Sequence, residues 1–159
     1  MERITREEYY FRVVEAVASR ATCDRGRSGA ILVKDQRIIA AGYVGSPSGT
    51  LHCDEADHEL VKRWDQESTL FTNHCERTIH AEMNALIQCA RYGPPCDGAA
   101  MYSTMFPCYT CTKSLVNAGI REVYALFDYQ KSERSKQLFD EVGIKWVIKN
   151  EKVMQYPSA

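Results

Sequence analysis

The chain has 159 residues and a mass of 18.1 kDa, the size of one domain spanning residues 1–159, and folding at that size removes roughly 70% of the unfolded surface from water without help from disulfides. Apolar residues make up 45% and charged residues 26%, and 20 Lys+Arg against 21 Asp+Glu leave a net charge of −1. That balance suggests neither disorder nor a polyelectrolyte tail and disfavours a globally basic nucleic-acid binder.

The first residues, Met1-Glu2-Arg3-Ile4-Thr5-Arg6, lack the apolar stretch of a secretion signal, and nothing later approaches the ~18 uninterrupted apolar residues of a membrane span. A cytoplasmic protein with no membrane partner is expected. Seven cysteines are an odd number, and without a secretion signal they point to thiolate or metal chemistry rather than a disulfide framework.

From Thr5 to Ser19, the residues Tyr9, Tyr10, Val13, Val14, Ala16 and Val17 recur at helical steps and predict a first helix with one buried face. Ala30–Val33 and Arg37–Gly42 are short branched-rich runs around Lys34-Asp35-Gln36, the pattern of a β-hairpin. Gly45-Ser46-Pro47-Ser48-Gly49 then breaks regular structure, and residues 50–77 read as irregular with a short helix over Glu55–Asp65. Thr78 is the expected cap of a long helix that runs to about Arg91 and stops at Gly93-Pro94-Pro95.

Beyond it, strands over Ala99–Ser103, Val123–Phe127 and Lys145–Ile148 alternate with helices over Tyr109–Ala118 and Ser132–Val142. Alternation of this kind implies parallel crossovers, whereas the early hairpin is antiparallel, so a mixed sheet between helical layers is predicted.

The chemistry concentrates in two short motifs. Cys108 and Cys111 in Pro107-Cys108-Tyr109-Thr110-Cys111 are three apart at a helix start, where both sulfurs can grip one ion and the helix amino end favours thiolates. His80, in His80-Ala81-Glu82, supplies a neutral nitrogen from another helix start, and three protein ligands leave a tetrahedral zinc one position open for water. Glu82 is too close to His80 to be a comfortable fourth ligand but is well placed to shuttle a proton. A lone Cys-x-x-Cys also serves structural zinc or redox chemistry, and a lone His is usually a packed one. Together and in this order the motifs form the H-x-E … P-C-x-x-C zinc deaminase signature.

The chain resembles the deoxycytidylate (dCMP) deaminase family over about residues 8–148. Ser28-Gly29-Ala30-Ile31-Leu32-Val33-Lys34-Asp35 is similar to that family's first strand, and Gly42-Tyr43-Val44-Gly45-Ser46-Pro47 to its Gly-Tyr-Asn-Gly-x-Pro loop. Cys75 to Ala85 resembles the zinc helix, and Gly119-Ile120-Arg121-Glu122-Val123-Tyr124 and Asp128-Tyr129 also fit. The resemblance implies a three-layer α/β/α cytidine deaminase-like fold with a mixed five-stranded sheet, its first hairpin antiparallel and its later strands parallel.

It further implies hydrolysis of dCMP to dUMP and ammonia, with Glu82 passing a proton from water to N3 while oxygen attacks C4. Asn84 and backbone near Gly29 and Ala30 would fix sugar and base. Phe106, Tyr109 and Tyr129 are candidate ring contacts, with core packing as the alternative. Arg25 and Arg27, with the Gly45-Ser46 loop, are candidates for the monophosphate because arginine donates in pairs to phosphate oxygens. Solvated surface charge is the competing reading.

Some family members carry a second, structural zinc, and Cys23, Cys53, His58 and Cys75 supply ligand types from the same regions, with His52 and His74 nearby and buried free thiols as the alternative. Cys89 and Cys96 show no partner pattern. The family implies a homo-oligomer, with a hexamer favoured, and dCTP and dTTP as effectors. Val44 stands where the family's loop has Asn, which predicts altered sugar recognition or, preferably, weak regulation. Rival readings are a deaminase of another cytosine nucleotide or of tRNA adenosine, and a non-enzymatic zinc-stapled binding module.

Overall fold

A computed structural model describes residues 2–65 and 69–154. The elements in chain order are α1 (Arg6–Ala18), β1 (Gly29–Lys34), β2 (Arg37–Tyr43), α2 (Cys53–Ala56), β3 (Leu60–Asp65) and β4 (Leu70–Cys75). They continue with α3 (Ala81–Tyr92), β5 (Ala100–Met105), α4 (Tyr109–Asn117), β6 (Glu122–Tyr129), α5 (Glu133–Val142) and β7 (Lys145–Met154).

The main sheet has five strands in the order β2-β1-β5-β6-β7. β1 is antiparallel to both β2 and β5, whereas β5, β6 and β7 run parallel. Alternation along each strand fixes the layers. Ile31, Val33 and Tyr102 meet Tyr10, Phe11 and Val14 of α1 on one face. Ala30, Leu32, Met101, Val123 and Ala125 meet Ala81, Ala85, Leu115 and Phe139 from α3, α4 and α5 on the other. Ile31 and Leu32 are fully buried on opposite faces, each contributing on the order of 2 kcal/mol.

Helix α3 lies so close to β2 that a Cβ on Gly42 would stand 2.3 Å from the Ala81 carbonyl oxygen and 2.4 Å from the Ala85 nitrogen. Only glycine allows that approach. The same juncture is tied by a short bridge, Gly45 N to Ile79 O at 3.2 Å and Ile79 N to Gly45 O at 2.9 Å, which fixes the segment leading into α3.

Three expectations are corrected. The helix predicted over Glu55–Asp65 is instead the four-residue α2, ended at Asp57 with φ +60, followed by β3. β3 pairs antiparallel with β4, and Trp64 and Phe71 meet edge to face across the pair at 5.3 Å. The aromatic and branched residues that β3 and β4 share favour a pleated hairpin over a helix. Within the stretch read as irregular, residues 66–68 lie outside the described residues. The cap of α3 is His80 rather than Thr78, so the His80-Ala81-Glu82 motif itself starts the helix. β7 also runs beyond the predicted Ile148, to Met154. Among the described residues no helix is long and apolar enough to cross a membrane.

Candidate active site

The open ends of two helices meet on one side of the sheet. His80 is the N-cap of α3 and Cys108 the N-cap of α4, while Cys111 sits in the first turn of α4. Neither cap side chain closes on its own helix, so both are available to a shared guest. His80 Nδ1 lies 3.5 Å from each of the Cys108 and Cys111 sulfurs, and the three ligand atoms lie within 4.8 Å of one another.

The donor set fits a zinc ion. Cys108 is held well below the ordinary thiol range, first by a hydrogen bond from Cys111 and then, against burial, by the His80 imidazole. The neighbouring thiolate in turn draws His80 upward to about 9. The buried Cys111 sulfur, the half-buried Cys108 sulfur and a ring nitrogen that must share protons so closely form a cradle whose natural occupant is a cation. Glu82, 7% exposed, is pushed up to about 7 by burial and stands in the first turn of α3 beside this trio.

A second cluster gathers Cys23, Cys53, His58 and Cys75, with all ligand atoms again within 4.8 Å of one another. Cys23 Sγ lies 3.8 Å from His58 Nδ1, and Cys53 Sγ lies 3.7 Å from Cys75 Sγ. Burial raises the Cys23 and Cys53 thiols, Cys53 to about 12, while Cys75 is lowered, against burial, by a hydrogen bond with His58. These four donors also fit zinc, here with a closed ligand set. His74 belongs to neither cluster: its Nε2 pairs with Thr72 Oγ1 at 3.0 Å, and burial lowers its pKa, aided by Lys131 and Arg63.

Three spaces that share His80 and Tyr129 in their linings gather around the trio. The innermost is lined by Ser28, Val44, Met105, Phe106 and Tyr129 together with Glu82, His80 and Cys108. The next is lined by Arg25, Val44, Asn73, His74, Thr78 and Tyr129. An outer cleft of about 500 Å³ is bounded by the β3–β4 hairpin through Arg63 and Trp64, by Tyr109 of α4, and by Lys131 and Arg134.

Val44, Phe106, Tyr109, Tyr129 and Arg25 are therefore at the site. Phe106 is also a core residue, edge to face with Phe139 and Trp146. Arg25 donates to the Asn73 carbonyl at 3.3 Å. Arg27 is exposed and is not among the residues lining these spaces. Asn84 turns away from them. Its Nδ2 donates to the Tyr43 carbonyl at 2.8 Å and the side chain lines a separate groove with Ser46 and Arg91. Gly29 and Ala30 belong to the packing: a Cβ on Gly29 would meet the Ala18 nitrogen of α1 at 2.6 Å, and Ala30 is fully buried beneath α3. Ser28, Met105, Arg63, Trp64, Lys131 and Arg134 escaped sequence reasoning, since none of them carries a motif.

Residues 4–127 match the family described as the cytidine and deoxycytidylate deaminase zinc-binding region. ComE operon protein 2 of Bacillus subtilis (strain 168) is 42% identical over 144 residues, covering 91% of this chain and 71% of that protein. The deoxycytidylate deaminase of Mycobacterium phage D29 is 34% identical over 125 residues, covering 77% of this chain and 95% of that one. The crystal structure of the apo dCMP deaminase from cyanophage S-TIM5 superposes with a TM-score of 0.69 at 27% identity, covering 93% of this chain and 96% of that chain. This chain belongs to the cytidine and deoxycytidylate deaminase zinc-binding family.

Proposed function

We propose that this protein hydrolyses dCMP to dUMP and ammonia, using one zinc held by His80, Cys108 and Cys111. The observation that carries the reading is Glu82, buried and lining a small space beside three donors that fit zinc. Support comes from relatives named deoxycytidylate deaminase and from the fold shared with the S-TIM5 dCMP deaminase in complex with dCMP and dUMP, TM-score 0.71 at 24% identity.

When bound, the ion supplies a Lewis acid that lowers the pKa of water toward ~7. Glu82 would take a proton from the attacking water and deliver it to N3 of the cytosine ring as the water oxygen bonds to C4, then carry the second proton to the amine as the C4–N bond breaks and ammonia leaves. Burial favours its protonated form, which lets the carboxyl hold a proton between the two transfers. Phe106, Met105 and Val44 line the small space at Glu82 and keep bulk water from its carboxyl.

A second zinc on Cys23, Cys53, His58 and Cys75 anchors the segment between β2 and α3, since binding there is coupled to ordering the chain that carries the ligands. The protein is a cytoplasmic, single-domain homo-oligomer in pyrimidine nucleotide metabolism, with six subunits favoured. Nucleotide effectors such as dCTP and dTTP belong to the groove of Ser46, Asn84, Gln88 and Arg91, on the far side of the Tyr43–Pro47 loop from Glu82. Val44 faces the inner space rather than that groove, so its departure from Asn bears on the substrate more than on regulation.

Zinc-loaded protein incubated with dCMP, dCTP, cytidine, cytosine and adenosine, with ammonia and product followed, tests the reading. Turnover of dCMP well above the others is expected. Turnover of another substrate with dCMP untouched would refute it.

A further inference from the structure

A short tether joins the two donor clusters. Cys75, a donor of the second cluster, ends β4, and His80, a donor of the first, caps α3, with Glu76, Arg77, Thr78 and Ile79 between them. Backbone bonds pin both ends of the tether: Glu76 N donates to the Glu59 carbonyl at 2.9 Å, and Ile79 is bridged to Gly45. Arg77 therefore stands on a fixed base. Its side chain, 19% exposed, reaches back to the loop that follows α2.

In that loop one guanidinium grips the chain on both sides of His58. Arg77 Nε donates to the Asp57 carbonyl at 3.1 Å, and Arg77 Nη2 pairs with Glu59 Oε1 at 2.9 Å. The planar guanidinium presents its donors as a rigid fork, so a single side chain holds both acceptors at a set spacing. The loop needs such a restraint. Asp57 has φ +60 and ψ 173, a region that glycine alone enters freely, and another residue stays there only where its surroundings compel it. The carbonyl that Arg77 holds belongs to the peptide unit whose rotation is this ψ. The next residue is the donor itself: His58 Nδ1 lies 3.8 Å from Cys23 Sγ, while Nε2 faces Asp24.

We infer that Arg77 is a positioning residue of the second metal site, holding the strained Asp57–His58 peptide so that the imidazole meets Cys23, Cys53 and Cys75. The inference rests on the reading of those four donors as a zinc site. The strained turn supplies only His58 to the metal, and His80, Cys108 and Cys111 lie on α3 and α4 beyond it. Loss of the Arg77 contacts therefore acts on the second ion and spares the first.

The test is zinc content and competition for zinc with the chelator pyridylazoresorcinol, on the full-length zinc-loaded protein. Wild type, Arg77→Gln, Arg77→Lys and the double variant Arg77→Gln with Asp57→Gly are compared, and Cys53→Ser marks which ion belongs to the second site. Wild type is expected to hold two ions. Removing a contact behind a ligand should weaken zinc at the second site about 10- to 100-fold in Arg77→Gln, with the ion at His80, Cys108 and Cys111 held as in wild type. Arg77→Lys keeps the charge opposite Glu59 without the fork and should fall between. Asp57→Gly lets the turn form without strain, so the double variant should recover most of the lost affinity, a rescue that general loss of packing would not give. Should Arg77→Gln not fold, Arg77→Lys with and without Asp57→Gly gives the same comparison. Wild-type affinity at the second site in the Arg77 variants would overturn the inference, as would a loss that Asp57→Gly leaves unrestored. A wild type holding one ion would instead refute the second-zinc reading on which it rests.

Discussion

Asp24 Oδ1 lies 2.9 Å from His58 Nε2, so the other ring nitrogen of His58, Nδ1, is the one turned toward Cys23. A carboxylate behind a ligating histidine fixes the tautomer and ring orientation and raises the basicity of the ligand. Asp24→Asn should therefore weaken metal binding at the second cluster about 10- to 100-fold. Competition with a chromophoric chelator reads this directly. Equal zinc retention by variant and wild type would make the Asp24 contact an ordinary surface pair.

The second cluster also holds a wall of the cleft. Cys75 ends β4, and Thr72 and His74 of that strand contribute to the polar face toward Lys131. Cys53→Ser is expected to reduce bound zinc from two ions per chain to one and to lower Tm by about 4–8 °C, the shift that about 2 kcal/mol produces at this size. Limited proteolysis should then cut first between β2 and α3. Full zinc content and unchanged cleavage in the variant would remove the anchoring role.

The meeting of His80, Cys108 and Cys111 was legible in the sequence because these donors arrive as two compact motifs at helix starts, where short spacing brings them together. The second cluster was legible by residue type, although nothing in the order of Cys53, His58 and Cys75 excluded His74. The hairpin was not. Glu55–Asp65 has a polar composition compatible with a short helix, and it is the pairing of Leu60–Asp65 with Leu70–Cys75 that decides otherwise. Nor was the cationic wall, since Arg63, Lys131 and Arg134 are distant in sequence and meet only after the sheet and α5 have formed. Asn84 shows the converse: its place in a family-like motif suggested substrate contact, yet its amide is committed to the Tyr43 carbonyl.

Asp128 supports Tyr129 at the site. Burial pushes its carboxyl up, but the Lys136 ammonium at 2.8 Å, the Ser132 hydroxyl at 2.7 Å and the Tyr129 N–H at 2.8 Å outweigh it and hold the pKa below the ordinary carboxylate value. A carboxyl with a lower pKa folded than unfolded contributes stability above its unfolded value, ~3.9, and loses it as pH falls through the folded value. Lys136→Gln should cost about 1–2 kcal/mol at neutral pH, and the difference from wild type should shrink below about pH 4. Urea unfolding at several pH values measures it. A difference as large in acid as at neutrality would show that the lysine acts through packing alone.

Val44 lines the inner space with Glu82 and Tyr129 and packs against Cys23 and Cys53. A branched apolar side chain offers the sugar no hydrogen bond. Val44→Asn is expected to change the KM ratio of dCMP to CMP by about fivefold, the scale of one hydrogen bond, and to leave any response to dCTP intact. An unchanged ratio accompanied by a new dCTP response would assign the position to regulation instead.

The account rests most heavily on Glu82 as the proton carrier in dCMP deamination, and conversion of dCMP by wild type and Glu82→Gln, with zinc determined on the same samples, tests it most directly. The amide keeps the size and hydrogen-bonding capacity of the carboxylate but cannot carry a proton. The wild type should release dUMP and ammonia in equal amounts, and the variant should hold its zinc while losing at least about 100-fold in kcat. A zinc-replete Glu82→Gln protein that retains most of the wild-type turnover would contradict the account.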